Sequence, residues 1–397
     1  MKISYILTEH IDPDGHTGAS AHVRENIRNL RSMHHEVTLI SPANGNTNGT
    51  FSQPDPKKWN LKSMVPARLK REALRYRDRK QQRELVEKSM DRLMSSDIIY
   101  ERDAFRSFAI YNLREKIRKP WIIECNGFFW GDLIADFHKP VLQQRYKRLH
   151  LKKWMAADHL IAVSSRFKQK MVSDGIPADK ISVIHNGVDL HAHERVDQQQ
   201  VNRIRTSLDL DKHIVVGFVG SILPWHRLDL FLTAISKLKG HYPVKGLVVG
   251  GGIWQAYRKQ ANDLGLDKVV SFTGPVDPGK VPSMIAAMDI CCLPGSTDYN
   301  SPVKLFDYGA AHKPVIAADF QAVSEIISDH ETGLLFEKGN LAGFTNKLQI
   351  LLGDDRLRRV LGDNLHALVA NNHSWEKVTE RTNTIINRII DERKQLR

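Results

Sequence analysis

The sequence predicts an α/β fold built as two doubly wound halves. Three observations predict it. Short apolar runs alternate with helical stretches along the whole chain, the pattern of βαβ units around parallel sheets. The 397 residues suffice for two domains with separate cores. The stretch from Asp289 to Asp319 holds one complete unit of strand, polar loop, helix and strand. Composition narrows the class. A hydrophobic fraction of 41% is ordinary for a globular protein, and no apolar run approaches the roughly 18 residues of a membrane helix. Met1 to Leu7 is too short for a signal-peptide core and reads as a first strand. Cys125, Cys291 and Cys292 have no CxxC spacing, so packing cysteines in a reduced, cytoplasmic setting are expected. The net charge of +13 predicts attraction to polyanions: nucleic acid, anionic lipid or phosphorylated substrates.

In order, KISYILTEH is a strand, Asp12 to Ser20 a glycine-containing loop, and Ala21 to Leu30 a helix. Asp12-Pro13-Asp14 reads as a turn rather than a metal-binding DxD, because the Pro and Gly15 explain it. His35 to Ile40 is a strand and Ala43 to Pro56 a surface loop. Two basic clusters follow, at 68–92 and 145–153, with ten basic residues to five acids in the first. They read either as solvated helix faces or as a contact with an anionic membrane surface or a phosphate-bearing acceptor. Nucleic acid is not expected, since no aromatic-interleaved basic groove or recognised motif is present. Asp97 to Arg102 and Trp121 to Gly127 end further strands, and Asp158 to Phe167 gives strand, N-cap and helix.

Ile181 to Asp189 is a strand closing in an Asn-Gly turn, and Arg195 to Leu210 a polar, helix-prone linker. The second half opens with the strand Ile214 to Gly220, the loop Ser221 to Arg227 and the helix Leu228 to Leu238. Gly246 to Gly252, Val269 to Gly274 and Ile290 to Pro294 are strands, separated by helices at 253–264 and 281–288. Ser301 is placed as an N-cap and Pro302 in the first turn of a helix over Val303 to Ala311. Helix-start N–H groups with Lys304 make an anion site, and Asp307 one turn deeper suits a sugar diol. A nucleotide or nucleotide-sugar is the ligand this suggests. Pro314 to Ala318 and Gly333 to Phe336 are the last strands. Helices are expected over Leu341 to Asn371 and Ser374 to Arg397, with Ser374 as N-cap and Trp375 a staple.

SPVKLFDYGAAHKPVIA resembles the donor-binding segment of glycosyltransferase family 4, in the branch with WH and SPxKLF[ED]Y variants. The resemblance runs from about Ile3 to Ile390 and is strongest over Val215 to Phe336. It implies the GT-B fold: two facing Rossmann-like domains with an interdomain cleft and a C-terminal helix crossing back to the first domain. The boundaries expected are 1–195 for the acceptor-side domain, 196–374 for the nucleotide-sugar domain and 375–397 for the returning helix. It also implies a retaining, metal-independent transferase using a nucleoside-diphosphate sugar, with no cofactor. A glycan, lipid-linked or other hydroxyl acceptor follows from family habit and charge, in cell-envelope or exopolysaccharide synthesis.

Carried over by position, Gly18, Ser221, Arg227, Gly274, Asn300, Ser301, Lys304, Leu305 and Asp307 are the donor-binding candidates, and Glu124, Asn126 and His226 the catalytic ones. The chain departs from the pattern at several places. Tyr299 stands where the first family glutamate is usual and Asp307 where the second is; Ser221, His226 and Arg227 stand where two cations hold the diphosphate. Glu124 and Asn126 occupy the place of a cleft histidine, so Glu124 reads either as an acceptor-hydroxyl ligand or as a satisfied structural acid. The departures also suit a non-catalytic nucleotide-sugar-binding protein, or a sugar-nucleotide hydrolase or epimerase, on the same fold.

Overall fold

A computed structural model describes residues 1–9, 11–15, 18–42, 80–104, 107–128 and 143–395. The loop at 43–56 and residues 68–79 of the first basic cluster lie outside them. The chain divides into two compact units. One comprises Met1–Val163, Phe167–Ile184 and Thr379–Arg397, the other Ser164–Arg166 and His185–Val378.

The first unit holds a six-stranded sheet of β1 (Lys2–Leu7), β2 (Glu36–Ile40), β3 (Ile98–Arg102), β4 (Trp121–Cys125), β5 (His159–Ala162) and β6 (Ile181–Val183), ordered β2-β1-β3-β4-β5-β6. The second holds β7 (Ile214–Val219), β8 (Val244–Val249), β9 (Val270–Phe272), β10 (Ile290–Leu293), β11 (Val315–Ala318) and β12 (Leu334–Phe336), ordered β12-β11-β10-β7-β8-β9. Every pairing within both sheets is parallel. Parallel strands need crossovers and are covered on both faces, which is why they read as continuous apolar runs. Val216, Phe218, Leu247, Val248, Cys291 and Ile316 are all buried in the second core. Each sheet reverses strand order once, at β1/β3 and at β7/β10. Such switch points leave a crevice at the strands' carboxyl ends.

The last helix, Trp375–Gln395, starts as expected: the Ser374 hydroxyl accepts from the Lys377 N–H at 3.3 Å, and the Trp375 ring lies where a Cβ on Gly187 would fall, 2.8 Å away. From Thr379 on, this helix counts with the first unit.

The basic cluster at 145–153 divides between surface and interior. Its helix, Gln143–Ala156, leaves Arg145, Arg148 and Lys152 exposed, but Lys147 pairs with Asp174 at 2.6 Å and Lys153 is wholly buried. Lys153 Nζ lies 2.8 Å from Glu101 and 2.5 Å from Asp103, and also donates to the Ser107 hydroxyl. Trp121 and Trp154 donate their indole N–H groups to the same two carboxylates, at 3.0 and 2.8 Å. A lysine on the apolar side of a helix is tolerated only with this many partners.

Candidate functional site

The second unit's switch point gathers the loops after β7, β8 and β10. Two glycines let those loops touch. A Cβ on Gly250 (φ +133°) would stand 2.1 Å from the Gly220 carbonyl oxygen, and one on Gly220 (φ +126°) would stand 2.5 Å from Lys304 Cε. The helix Val303–Ala310 is fixed over β7 by Tyr308, whose buried hydroxyl accepts the Val219 N–H at 3.0 Å. Its first turn therefore presents Lys304 to the end of β7.

Among the described residues Lys304 has a single hydrogen-bonding neighbour, His226 Nε2 at 3.3 Å, and its ammonium lies 5.4 Å from the centroid of the Phe218 ring. Burial pulls the lysine down to about 8, against the opposing charge of Asp307. Burial and then the Lys304 charge take His226 down to about 3, with a hydrogen bond to the Ser221 backbone opposing. The imidazole is thus neutral over the ordinary pH range, with Nε2 facing the ammonium and Nδ1 3.3 Å from the Leu223 N–H. A cation held against an aromatic face and one neutral acceptor retains unspent charge for an anion.

The other candidates fall in different places. Ser221 is exposed at the start of the same loop. Arg227, in left-handed backbone at φ +50°, is taken by Asp229 through three contacts of 2.8 to 3.2 Å. Its Nε and Nη2 thus face a carboxylate two residues along the chain. Ser301 is corrected. Pro302 occupies the N-cap position without a side-chain cap, and the buried Ser301 hydroxyl accepts the Asn186 N–H at 3.1 Å, tying the loop to the Asn-Gly turn. Leu305 goes into the core, fully buried, with its N–H given to the Pro302 carbonyl at 2.9 Å, so it offers a ligand nothing. Asn300 is exposed, and Gly274 (φ +66°) is buried beside Trp254, its carbonyl accepting the Gly250 N–H at 3.1 Å. Asp307 keeps a half-buried carboxylate, 3.4 Å from His193 Nε2. His193 and Tyr308 carry no sequence signal that marks them, since only the fold brings the helix Leu190–Glu194 to Asp307.

In the first unit, Gly18 opens the helix Gly18–Ser32 and faces open space, with nothing within 4 Å of a Cβ placed there. Glu124, 3% exposed at the carboxyl end of β4, is saturated. His22 (2.8 Å) and Asn126 (2.8 Å) meet one carboxylate oxygen; Tyr100 (2.6 Å) and Asn26 (3.4 Å) donate to the other. Burial pushes this carboxyl up, but the His22 charge and hydrogen bond, then Arg102 and Tyr100, outweigh it and hold it well below the usual range. Of its two readings the satisfied acid is the one this geometry fits. Asn126 is held 2.8 Å from it and remains partly exposed. His22 and Asn26, spaced i, i+4 on one helix face, were the only local hint of this cluster.

Residues 16–192 match the model of Glycosyltransferase Family 4, and residues 213–354 that of Glycosyl transferases group 1. A D-inositol 3-phosphate glycosyltransferase of Corynebacterium glutamicum is 27% identical over 218 residues, 53% of this chain and 52% of that protein. The chain thus spans about half the length of the curated relatives it matches. Among solved structures, Anabaena HepE in complex with UDP and glucose superposes with a TM-score of 0.71 at 18% identity, covering 98% of this chain and 99% of that one. Sucrose-phosphate synthase from Thermosynechococcus elongatus gives 0.74 at 16%, with coverage of 98% and 99%. These likenesses carry the GT-B fold.

Proposed function

We propose, from the premise that this chain belongs to glycosyltransferase family 4, that it transfers a sugar from a nucleoside-diphosphate sugar to a hydroxyl acceptor. UDP is the nucleotide favoured, because HepE is seen with UDP. The observation that carries this reading is Lys304: a half-buried ammonium at a helix start and a strand switch point, with one neutral hydrogen-bonding partner among the described residues. Such a site wants an anion. The diphosphate would lie against Lys304 and Ser221, the ribose hydroxyls on Asp307, and the base beside Gly274.

The reaction we infer is retaining and metal-independent, and involves no cofactor. The bond from the anomeric carbon to the diphosphate breaks while the acceptor oxygen bonds to the same face. The acceptor's proton goes to the departing phosphate. Lys304 stabilises the charge that develops there. His226, neutral and committed to Lys304, positions that cation and is not itself a proton donor. A glycan, a lipid-linked chain or a phosphorylated polyol is the acceptor class, and polysaccharide assembly at the inner face of a membrane the setting that fits the charge of +13. Arg227 held by Asp229 favours a second reading, a nucleotide-sugar-binding protein without turnover.

Calorimetry with UDP, GDP, ADP and their sugars tests the donor site. One nucleotide is expected to bind, and Lys304→Ala to weaken it at least about tenfold. No binding at millimolar concentration by a folded chain overturns the reading. Turnover of the binding sugar nucleotide with and without glycan, polyol and lipid acceptors separates transferase from hydrolase and from binder.

A further inference from the structure

Asp307 follows Lys304 by three residues on the helix Val303–Ala310, so the two share a face. The carboxylate's charge also reaches the lysine, where it opposes the effect of burial. It is half-buried, and its one ion-pair partner among the described residues is His193, with Nε2 3.4 Å from Oδ1. His193 comes from the helix Leu190–Glu194, which Asp189 caps by accepting the Ala192 N–H at 3.2 Å. Leu190 packs on the second core, and His193, three residues on, turns inward on the same face. His191 and Glu194 meet each other on the outer side at 2.9 Å, both more than half exposed. The His193 side chain is only 3% exposed, and its Nδ1 is buried with no partner among the described residues. A proton on Nδ1 would be a buried donor facing nothing. On that ground the ring proton is assigned to Nε2, which faces Asp307.

An aspartate carboxyl turns broadly about its second side-chain torsion. An imidazole N–H against one oxygen restricts that rotation and leaves the other oxygen aimed. A ligand hydroxyl then meets an acceptor already ordered, and binding loses less rotamer freedom. We propose that His193 is a positioning residue for Asp307: it fixes the carboxylate that reads the ribose hydroxyls, so the preference for a full ribose depends on it. The word ribose rests on the donor reading above; the pairing of His193 with Asp307 does not. A histidine that only packed its short helix would, when replaced, weaken every nucleotide alike.

The test separates these roles. Ribose is common to UDP, GDP and ADP, so each is titrated beside its 2′,3′-dideoxy form. The proteins are wild type, His193→Phe, His193→Gln, Asp307→Ala, and His193→Phe combined with Asp307→Ala. Wild type is expected to favour the full ribose about tenfold or more, and Asp307→Ala to lose that preference. His193→Phe keeps a ring without the N–H. It should lose most of the preference while binding the dideoxy nucleotide as wild type does. His193→Gln, whose amide can donate to the same oxygen, should keep part of it. In the combined variant, removing His193 should add nothing to removing Asp307. Equal weakening of both nucleotide forms in His193→Phe overturns the proposal, and so does a full ribose preference retained there. Either result leaves the donor reading standing. Should His193→Phe fail to fold, His193→Met, which fills irregular space, takes its place with the same outcomes. A wild type that binds nucleotide without ribose preference also sinks the role given to His193. If no nucleotide binds wild type, the donor reading itself has failed, and this role falls with it.

Discussion

Lys304 carries most of the proposed donor site, and its protonation makes a sharp prediction. The free lysine titrates near 8 because burial disfavours its charge. A bound diphosphate reverses that balance and raises the lysine. Nucleotide affinity should therefore be level below pH 8 and fall as pH climbs above it, with proton uptake on binding near pH 8. Calorimetry of UDP in two buffers of different ionisation enthalpy reads both. Flat affinity from pH 7 to 10 would mean that Lys304 does not meet the phosphate. His226, at about 3, contributes nothing to this profile. The placement of Lys304 and Asp307 on a helix that follows a buried strand was legible from sequence, because the apolar run and the polar loop after it mark where that helix starts. Arg227 was not, because its competitor Asp229 is a matter of side-chain geometry after a left-handed residue. Nor was the exchange of Ser301 from cap to tether, which depends on a turn over a hundred residues earlier in the chain.

Among the elements, the loops of the second unit are held by contacts that have no room for a side chain. Gly220→Ala is expected to push Lys304 off the end of β7, since the new Cβ would lie 2.5 Å from Lys304 Cε in backbone at φ +126°. Nucleotide affinity should drop by about tenfold, with about 1–3 kcal/mol of stability lost to strain. Unchanged UDP binding in a folded Gly220→Ala would show that the lysine is placed by something else. The helix Gln143–Ala156 teaches the opposite lesson about legibility. Its run of cations looked like a charged surface, yet Lys153 faces inward, because position on the helix decides the face and composition does not. Lys153→Met removes the cation between Glu101 and Asp103 and leaves two buried carboxylates facing each other. A loss of about 3–5 kcal/mol is expected. Chemical denaturation measures it, and the triple variant with Glu101→Gln and Asp103→Asn should recover most of it. The strands themselves were readable throughout, since a parallel strand buried on both faces is a bounded apolar run.

At the scale of the molecule, two sheets mean two cores, and the chain's last helix belongs to both stretches of sequence. It begins at Trp375 against Gly187 in the second unit and continues from Thr379 as part of the first. There Ile385, Ile386 and Ile389 are buried, Asn383 bonds His35 at 2.9 Å, and Arg393 bonds Asp158 at 3.0 Å. Asp158 also takes Arg114 and the Trp121 N–H, both at 2.8 Å, so the helix closes a network reaching β4. Three buried isoleucines at about 1.5–3 kcal/mol each already rival the roughly 5–15 kcal/mol that keeps a domain folded. A chain ending at Val378 should therefore lose the first unit's cooperative unfolding transition, while the second unit, whose core is complete without those residues, keeps its own. Differential scanning calorimetry with and without UDP distinguishes the two: the surviving transition should be the one that nucleotide shifts upward. If the truncated chain instead keeps both transitions, the terminal helix is an accessory to the first sheet and not part of its core. If nucleotide no longer shifts the remaining transition, the donor site needs more than the second unit supplies.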